Sequence, residues 1–264
     1  MLTKEEIASV FKADIIGREI ICLESAVSTN DSAFEIARNR PCPGGIVVVA
    51  EMQTKGRGRL GRSWISPAGV NLYFTVLLNP PVTPDNASIL TLAIPVAIAS
   101  AIISQTGLRA QIKWPNDIII NGKKAGGVLI EMKTGTAAAP LLAVGIGINV
   151  NMSADALPFE LRPLSTSLKM EKGESISRTE LLGEILSEIE HAYKNLLHGN
   201  KRAFINEWLR LNCTIGKRVS LRSQDRTISG IADGINERGE LVVKLVTGDT
   251  EIFTAGDVTI LKDN

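Results

Sequence analysis

The chain has 264 residues, enough for one large domain or for a large and a small one. With 29 Lys and Arg against 28 Asp and Glu, its formal net charge is +1, which excludes the bulk basicity that drives nucleic-acid binding. Hydrophobic residues at 44% and charged ones at 22% are those of an ordinary soluble globule, and Cys22, Cys42 and Cys213 lack metal-ligand spacing and read as reduced thiols of a cytosolic protein.

The first predicted element is a helix over Lys4 to Ala13, with Thr3 and Glu6 spaced as a capping box and no apolar signal-peptide core. A strand over Glu19 to Leu23 follows, then the small polar cluster Ser28-Thr29-Asn30-Asp31-Ser32 leading into a helix over Ala33 to Arg38. Such a cluster supplies N-caps and exposed backbone donors, so it suits a helix cap, a ligand, or both. Ile46 to Met52 and Leu72 to Leu78 read as strands. Asn86 to Leu108 carries no charge, but Pro95 and several Ser and Thr interrupt it and no aromatic belt flanks it, so it reads as a helix buried against a sheet and not as a membrane span.

Further strands are predicted at Gln111–Trp114, Asp117–Ile120, Val128–Lys133 and Leu141–Val150, with Asn121-Gly122 as a hairpin turn. Many strands with few crossover helices predict a mixed or largely antiparallel sheet. Two amphipathic helices follow, one capped by Ser177 with a stripe from Leu181 to Tyr193, the other marked by Phe204, Ile205, Trp208 and Leu209. His191 and His198 fall on this helical stretch, away from every candidate site. Beyond Cys213, short β-like runs with Gly- and Asp-containing turns predict a small barrel of about five strands. The expected division is a domain over 1–213 and a smaller one over 214–264.

The most informative segment is Gly56-Arg57-Gly58-Arg59-Leu60-Gly61-Arg62, with Lys55 before it and Ser63-Trp64 after it. Glycines let the backbone wrap a ligand, and arginine forks match phosphate or carboxylate oxygens. A nucleotide or an acyl phosphate fits; a solvated arginine loop or a nucleic-acid contact is the plainer alternative. The spacing also satisfies a dinucleotide-binding fingerprint, but no helix follows directly and no acid stands near Val76 to Val82. No Gly-Lys-Ser/Thr closes a Walker A loop.

Lys113-Trp114-Pro115-Asn116-Asp117 forms a corner pinned by proline, bringing together a cation, an amide and a carboxylate. These suit a phosphate, a hydrogen-bonding ligand and Mg²⁺, or simply a polar turn. Lys123 and Lys124 beside Gly126 and Gly127 suit either close ligand approach or an exposed hairpin tip. Gly145 and Gly147 inside an apolar strand mark either a close approach, with Asn149 offering an amide, or a β-bulge. No Ser/His/Asp set, Cys/His set, metal cluster or carboxylate pair stands out.

Taken together, these residues resemble the biotin protein ligases. The family's patterns occur in order as Ser28-Thr29-Asn30, Gln53, Gly56 to Arg62, Lys113 to Asp117, Lys124 with Gly127 to Glu131, and Gly145 to Asn149. The resemblance implies an α+β fold with a mixed sheet flanked by helices, like that of class II aminoacyl-tRNA synthetases, plus a small C-terminal Src-homology-3-like barrel. It implies that biotin's carboxylate attacks the α-phosphate of ATP to give biotinyl-5′-AMP, and that a lysine of a biotin carboxyl carrier protein domain, as in acetyl-CoA carboxylase, then takes the biotin.

The resemblance also assigns roles. Ser28, Thr29, Asn30 and Gln53 hold biotin's ureido end, with Gly56, Arg57, Gly58, Arg59, Lys124 and Gly127 completing the biotin site. Arg57, Arg59, Arg62, Trp64, Lys113, Asn116, Asp117, Lys124 and Asn149 serve the nucleotide, Asp117 its Mg²⁺, and Lys124 and Arg59 are the catalytic pair. Only 27 residues precede Ser28, too few for the winged helix of the family's repressor members, so ligation without DNA binding is expected, with no membrane partner and a homodimer as a family habit. The alternatives are lipoate or octanoyl transfer on the same architecture, and a non-enzymatic regulator that senses a nucleotide or binds nucleic acid.

Overall fold

A computed structural model gives, in chain order, helix α1 (Lys4–Val10), strand β1 (Glu19–Ala26), helix α2 (Thr29–Asn39), strands β2 (Ile46–Gln53) and β3 (Leu72–Leu78) and helix α3 (Pro84–Thr106). Strands β4 (Gln111–Lys113), β5 (Asp117–Ile120), β6 (Lys123–Lys133) and β7 (Leu141–Ile148) precede helices α4 (Leu168–Lys172), α5 (Arg178–Leu197) and α6 (Lys201–Leu211). The chain ends with β8 (Arg218–Ser223), β9 (Arg226–Ile235), β10 (Leu241–Leu245), β11 (Thr250–Phe253) and β12 (Asp257–Ile260). The structure describes residues 1–39, 44–79, 84–133, 140–223 and 226–261, and Cys42 lies outside them. Cys22 and Cys213 are free thiols.

Seven strands form one sheet in the order β1-β2-β3-β7-β6-β5-β4. Only β1 and β2 run parallel; the other neighbours are antiparallel, so the sheet is mixed. Side chains on a strand alternate between faces, and that period decides what each face meets. Along β2, Val47 and Val49 join the main core under α3 and α5, while Ile46 and Val48 join a second cluster with Ala33 and Phe34 of α2. Both faces are therefore covered, which is why β2 and β3 read as unbroken apolar runs.

Helix α3 is almost wholly apolar because neighbours enclose it: it packs on α5, α6 and the sheet, and Ile89, Leu90, Leu92 and Ala93 are at most 1% exposed. It has the length and composition of a membrane span yet forms the centre of the core. On α5, the Ser177 side chain accepts from Glu180 N and the stripe Leu181, Leu182, Ile185, Leu186, Ile189 faces α3.

Local differences from the sequence expectation have local causes. Helix α2 begins at Thr29 and not at Ala33, because the side chains of Thr29 and Asn30 bond to other strands instead of competing for their own backbone. Helix α1 stops at Val10, where extended Phe11 turns into the core. Asn121 and Gly122 take φ of 49° and 76°, the left-handed turn that a tight hairpin requires, and β6 starts directly after them at Lys123.

The last five strands form an antiparallel sheet in the order β11-β10-β9-β8-β12. It is tied to the first sheet at the proline corner: Trp114 N donates to Thr214 Oγ1 (2.9 Å) and Trp114 Nε1 to Gly239 O (3.0 Å). Trp114 is 1% exposed, so its bulk fills the seam between the sheets while its polar atoms stay bonded.

Candidate active site

The alternation that builds the core also builds the site. On β6, Val128 and Ile130 point to the α3 side, leaving Gly127, Leu129 and Glu131 on the α2 side. On β7, Val144, Ile146 and Ile148 enter the core, leaving Gly145 and Gly147 on the α2 side, with Asn149 continuing just beyond the strand end. On β3, Thr75 shares that face and is fully buried.

The space above Gly145 and Gly147 is filled by this chain's own side chains. A Cβ at Gly145 would lie 2.4 Å from Asn30 Oδ1, and one at Gly147 would lie 2.6 Å from Trp64 Nε1. Strand β7 keeps continuous register with both neighbours, so the glycines mark a close approach and not a bulge.

At one end of the hollow is a polar floor. Thr75 Oγ1 lies 2.6 Å from Asn30 Oδ1 and 2.8 Å from Thr29 Oγ1. Thr29 N donates to Gln53 Oε1 (3.0 Å), and Gln53 Nε2 donates to Ser66 Oγ (3.1 Å). Asn30 Nδ2 donates to Glu131 Oε2 (2.7 Å). Ser28, Thr29 and Asn30 are all at most 4% exposed.

Over the floor runs the arginine loop. It is folded on itself by Gly58 N donating to Arg62 O (2.6 Å) and Trp64 N to Gly56 O (2.8 Å). Gly56 is required where the two arms cross, since a Cβ there would meet Trp64 O at 2.5 Å. The three arginines differ. Arg57 is ion-paired with Asp31 and with Glu131 (3.0 Å to Oε2). Arg62 is paired with Asp257 of β12. Arg59 donates to two neutral oxygens, Asn116 Oδ1 (3.2 Å) and Gly256 O (3.1 Å), and has no carboxylate partner among the described residues. Burial lowers its pKa, with Asp117 and Asp257 opposing from a distance. A desolvated guanidinium of this kind is ready for an anion.

At the other end lies a corner of alternating charge. Asp117 sits between Lys124 Nζ (2.6 Å) and Lys113 Nζ (3.3 Å). Burial raises its carboxyl, but the two ammonium groups outweigh that and hold it below the usual carboxylate range. Lys124 Nζ also stands 5.4 Å from the centre of the Trp64 ring. This lysine passes close over Gly127, where a Cβ would lie 3.3 Å from Lys124 Cε. The backbone of Lys124 is clamped by segment 164–166, with Lys124 N donating to Leu164 O and Thr166 N to Lys124 O, each at 2.9 Å. Asn149 serves the same clamp: its Nδ2 donates to Thr166 O (2.9 Å), so this amide is engaged within the protein.

One cavity of about 280 Å³ connects floor, loop and corner. Ser28, Thr29, Asn30, Gln53, Arg57, Gly58, Arg59, Arg62, Trp64, Lys113, Asn116, Asp117, Lys124, Gly127 and Asn149 all line it. Gly56, the remaining residue expected at the site, lines the outer side of the loop instead. Sequence reasoning missed Met152, Leu157, Leu161 and Leu164, an apolar wall, and Gly256, Asp257 and Val258 from β12 and the turn before it. It also missed Thr75, whose signal was a small polar side chain in the middle of an apolar strand. Among the described residues no three His, Cys, Asp or Glu cluster as metal ligands. Asp117 therefore fits a cation only as a single carboxylate ligand to Mg²⁺ already carried by phosphates, and only by loosening its lysines.

The Biotin/lipoate A/B protein ligase family matches residues 23–151, and the Biotin protein ligase C terminal domain matches residues 214–261. The chain is 35% identical to the Bifunctional ligase/repressor BirA of Bacillus spizizenii, over 96% of this chain and 78% of that protein. It is 30% identical to the Biotin--[acetyl-CoA-carboxylase] ligase of Paracoccus denitrificans, over 88% of this chain and 96% of that one. Among solved structures it is similar to the biotin protein ligase from Aquifex aeolicus in complex with biotin and ATP, with a TM-score of 0.80, 30% identity, and coverage of 93% of this chain and 100% of that one. The chain belongs to the biotin protein ligase family.

Proposed function

We propose that this cavity joins biotin to AMP and then passes biotin to a lysine of a biotin carboxyl carrier protein domain. A carboxylate oxygen of biotin attacks the α-phosphorus of MgATP, the bond to the β-phosphate oxygen breaks, and pyrophosphate leaves with that electron pair. The carrier lysine's amine then attacks the acyl carbon of biotinyl-5′-AMP; AMP leaves and the nitrogen loses a proton. The observation that carries this reading is convergence: a polar floor, desolvated cations and a lysine–aspartate corner share one hollow.

The floor favours biotin over lipoate. Ser28, Thr29, Asn30 and Gln53 line this end of the cavity and offer donors and acceptors that match a ureido ring, whereas a dithiolane gives them no hydrogen bond in exchange for the water it displaces. The phosphates fall to Arg59, Arg62, Lys113 and Lys124, with Lys124 beside the reacting oxygen, where negative charge grows in the transition state. Trp64 Nε1 is buried with no hydrogen-bond partner among the described residues, which supports an acceptor on the ligand at that wall. Arg57, Gly58 and the leucines above the site exclude water from the adenylate.

The finer parts of the reading follow. Residues 1–213 act as the catalytic unit and 214–264 as a smaller unit that completes the cavity through Gly256 and Asp257. The enzyme works in the cytoplasm, pairs with a second copy of itself, and modifies protein without binding DNA, in keeping with a net charge of +1. The test is incubation with biotin, MgATP and a carrier domain, followed by mass analysis. A gain of one biotinyl group on a single carrier lysine is expected. Equal labelling with lipoate, or no labelling, contradicts the reading.

A further inference from the structure

The arginine loop carries three arginines, and one of them is already paired with two carboxylates. Arg57 Nη2 donates to Asp31 Oδ1 (2.9 Å) and to Glu131 Oε2 (3.0 Å), and Nη1 donates to Asp31 Oδ2. Two carboxylates thus surround one guanidinium, leaving it little positive field for a phosphate. The same Glu131 oxygen accepts from Asn30 Nδ2 at 2.7 Å. Asp31 follows Asn30 in the first turn of α2, so the floor of the biotin site and the fastening of the loop share one helical turn and one carboxylate.

We propose that Asp31 and Glu131 form a two-carboxylate anchor that holds the loop shut through Arg57, and that Asp31 is a positioning residue governing retention of biotin and its adenylate. Arg57 is a fastener in this scheme, while Arg59, Arg62 and the lysines meet the phosphates. Asp31 touches neither the cavity nor the reacting atoms; it acts through Arg57. Its carboxyl is held below the usual range by the Arg57 hydrogen bond, as expected of a fixed partner. The side chains of Arg57, Asp31 and Glu131 remain 36%, 46% and 34% exposed, so the anchor is strong enough to bias the loop and open enough to release.

This inference rests on the biotin ligase reading above, and its test separates the two. Labelled biotinyl-adenylate is formed on the enzyme from biotin and MgATP, and its escape is followed after a chase with excess unlabelled biotin. Asp31→Asn keeps the shape but removes the charge. Escape is expected to quicken by about three- to tenfold. The single-turnover rate of adenylate formation at saturating biotin and ATP is expected to stay within about twofold of wild type, and Asp31→Glu to restore retention. Unchanged escape in a folded Asp31→Asn, or formation slowed by as large a factor as escape is quickened, overturns the anchor while leaving the function standing. A wild-type enzyme that forms no adenylate overturns the functional reading and the anchor with it.

Discussion

Lys124 Nζ lies 2.6 Å from Asp117 Oδ1 and 5.4 Å from the centre of the Trp64 ring, so the lysine proposed for catalysis is held by a half-buried carboxylate on one side and an indole on the other. A cation so fixed needs little reorganisation when charge builds beside it. Lys124→Ala is expected to slow adenylate formation by about 10²–10³, with folding retained. Single-turnover formation of adenylate measures this, and a rate near wild type removes Lys124 from the chemistry.

The same pair sets an acid limit. Partial burial raises the Asp117 carboxyl, but Lys124 and Lys113 lower it more, so its folded pKa lies below the unfolded one. The stabilisation is complete above the unfolded value near ~4 and is lost as pH falls through the folded value. Urea midpoints between pH ~6 and ~3 should therefore fall in the wild type, with a shallower fall in Asp117→Asn. Parallel acid limbs exclude Asp117 as a contributor.

The two β7 glycines should separate the two substrates. A methyl at Gly145 collides with Asn30 Oδ1, and one at Gly147 with the indole of Trp64. Overpacking of this kind costs about 1–3 kcal/mol. Gly145→Ala is expected to raise KM for biotin about tenfold, and Gly147→Ala to raise KM for ATP by a similar factor. Identical effects of both variants on both substrates would contradict the division of the hollow into floor and nucleotide end.

Glu51 is 6% exposed, does not line the cavity, and accepts from Arg178 Nη1 (2.9 Å) and from Leu2 N (2.6 Å). Burial raises the Glu51 carboxyl; Arg178 and the Leu2 N–H more than reverse that. Arg178→Met leaves a buried carboxylate without its cation, and a loss of about 3–5 kcal/mol is expected from urea unfolding. A change below about 1 kcal/mol means water already reaches this pair.

Arg62 and Asp257 tie the loop to the second sheet through an ion pair whose side chains are 62% and 28% exposed. Such a pair contributes at most about 1 kcal/mol. Asp257→Asn should therefore leave stability nearly unchanged while freeing Arg62 for phosphate, lowering KM for ATP. An unchanged KM indicates that Arg62 stays with the second sheet throughout.

Much of the site was readable because its motifs follow the period of a strand. In Gly127-Val128-Leu129-Ile130-Glu131, Gly127 and Leu129 line the cavity and Glu131 shares their face of the strand, while Val128 and Ile130 pack with the core. Gly145, Gly147 and Asn149 obey the same rule. What stayed hidden depends on long-range contact. Gly256 and Asp257 reach the cavity only because Trp114 and Thr214 join the sheets, and no local pattern in a turn before a short strand announces that. Leu161 and Leu164 are exposed leucines at and just beyond a single 3₁₀ turn, too short for a periodicity to flag them. Asn149 was recognised as a site residue, but its amide bonds Thr166, a partner 17 positions away that only the fold reveals.

The most direct measurement is exchange of labelled pyrophosphate into ATP, run with biotin, with lipoate and with neither. Exchange that requires biotin, and that collapses in Lys124→Ala, is the predicted result. Exchange supported equally by lipoate, or absent with every acid, contradicts the claim that floor, loop and lysine corner make one biotin-activating cavity.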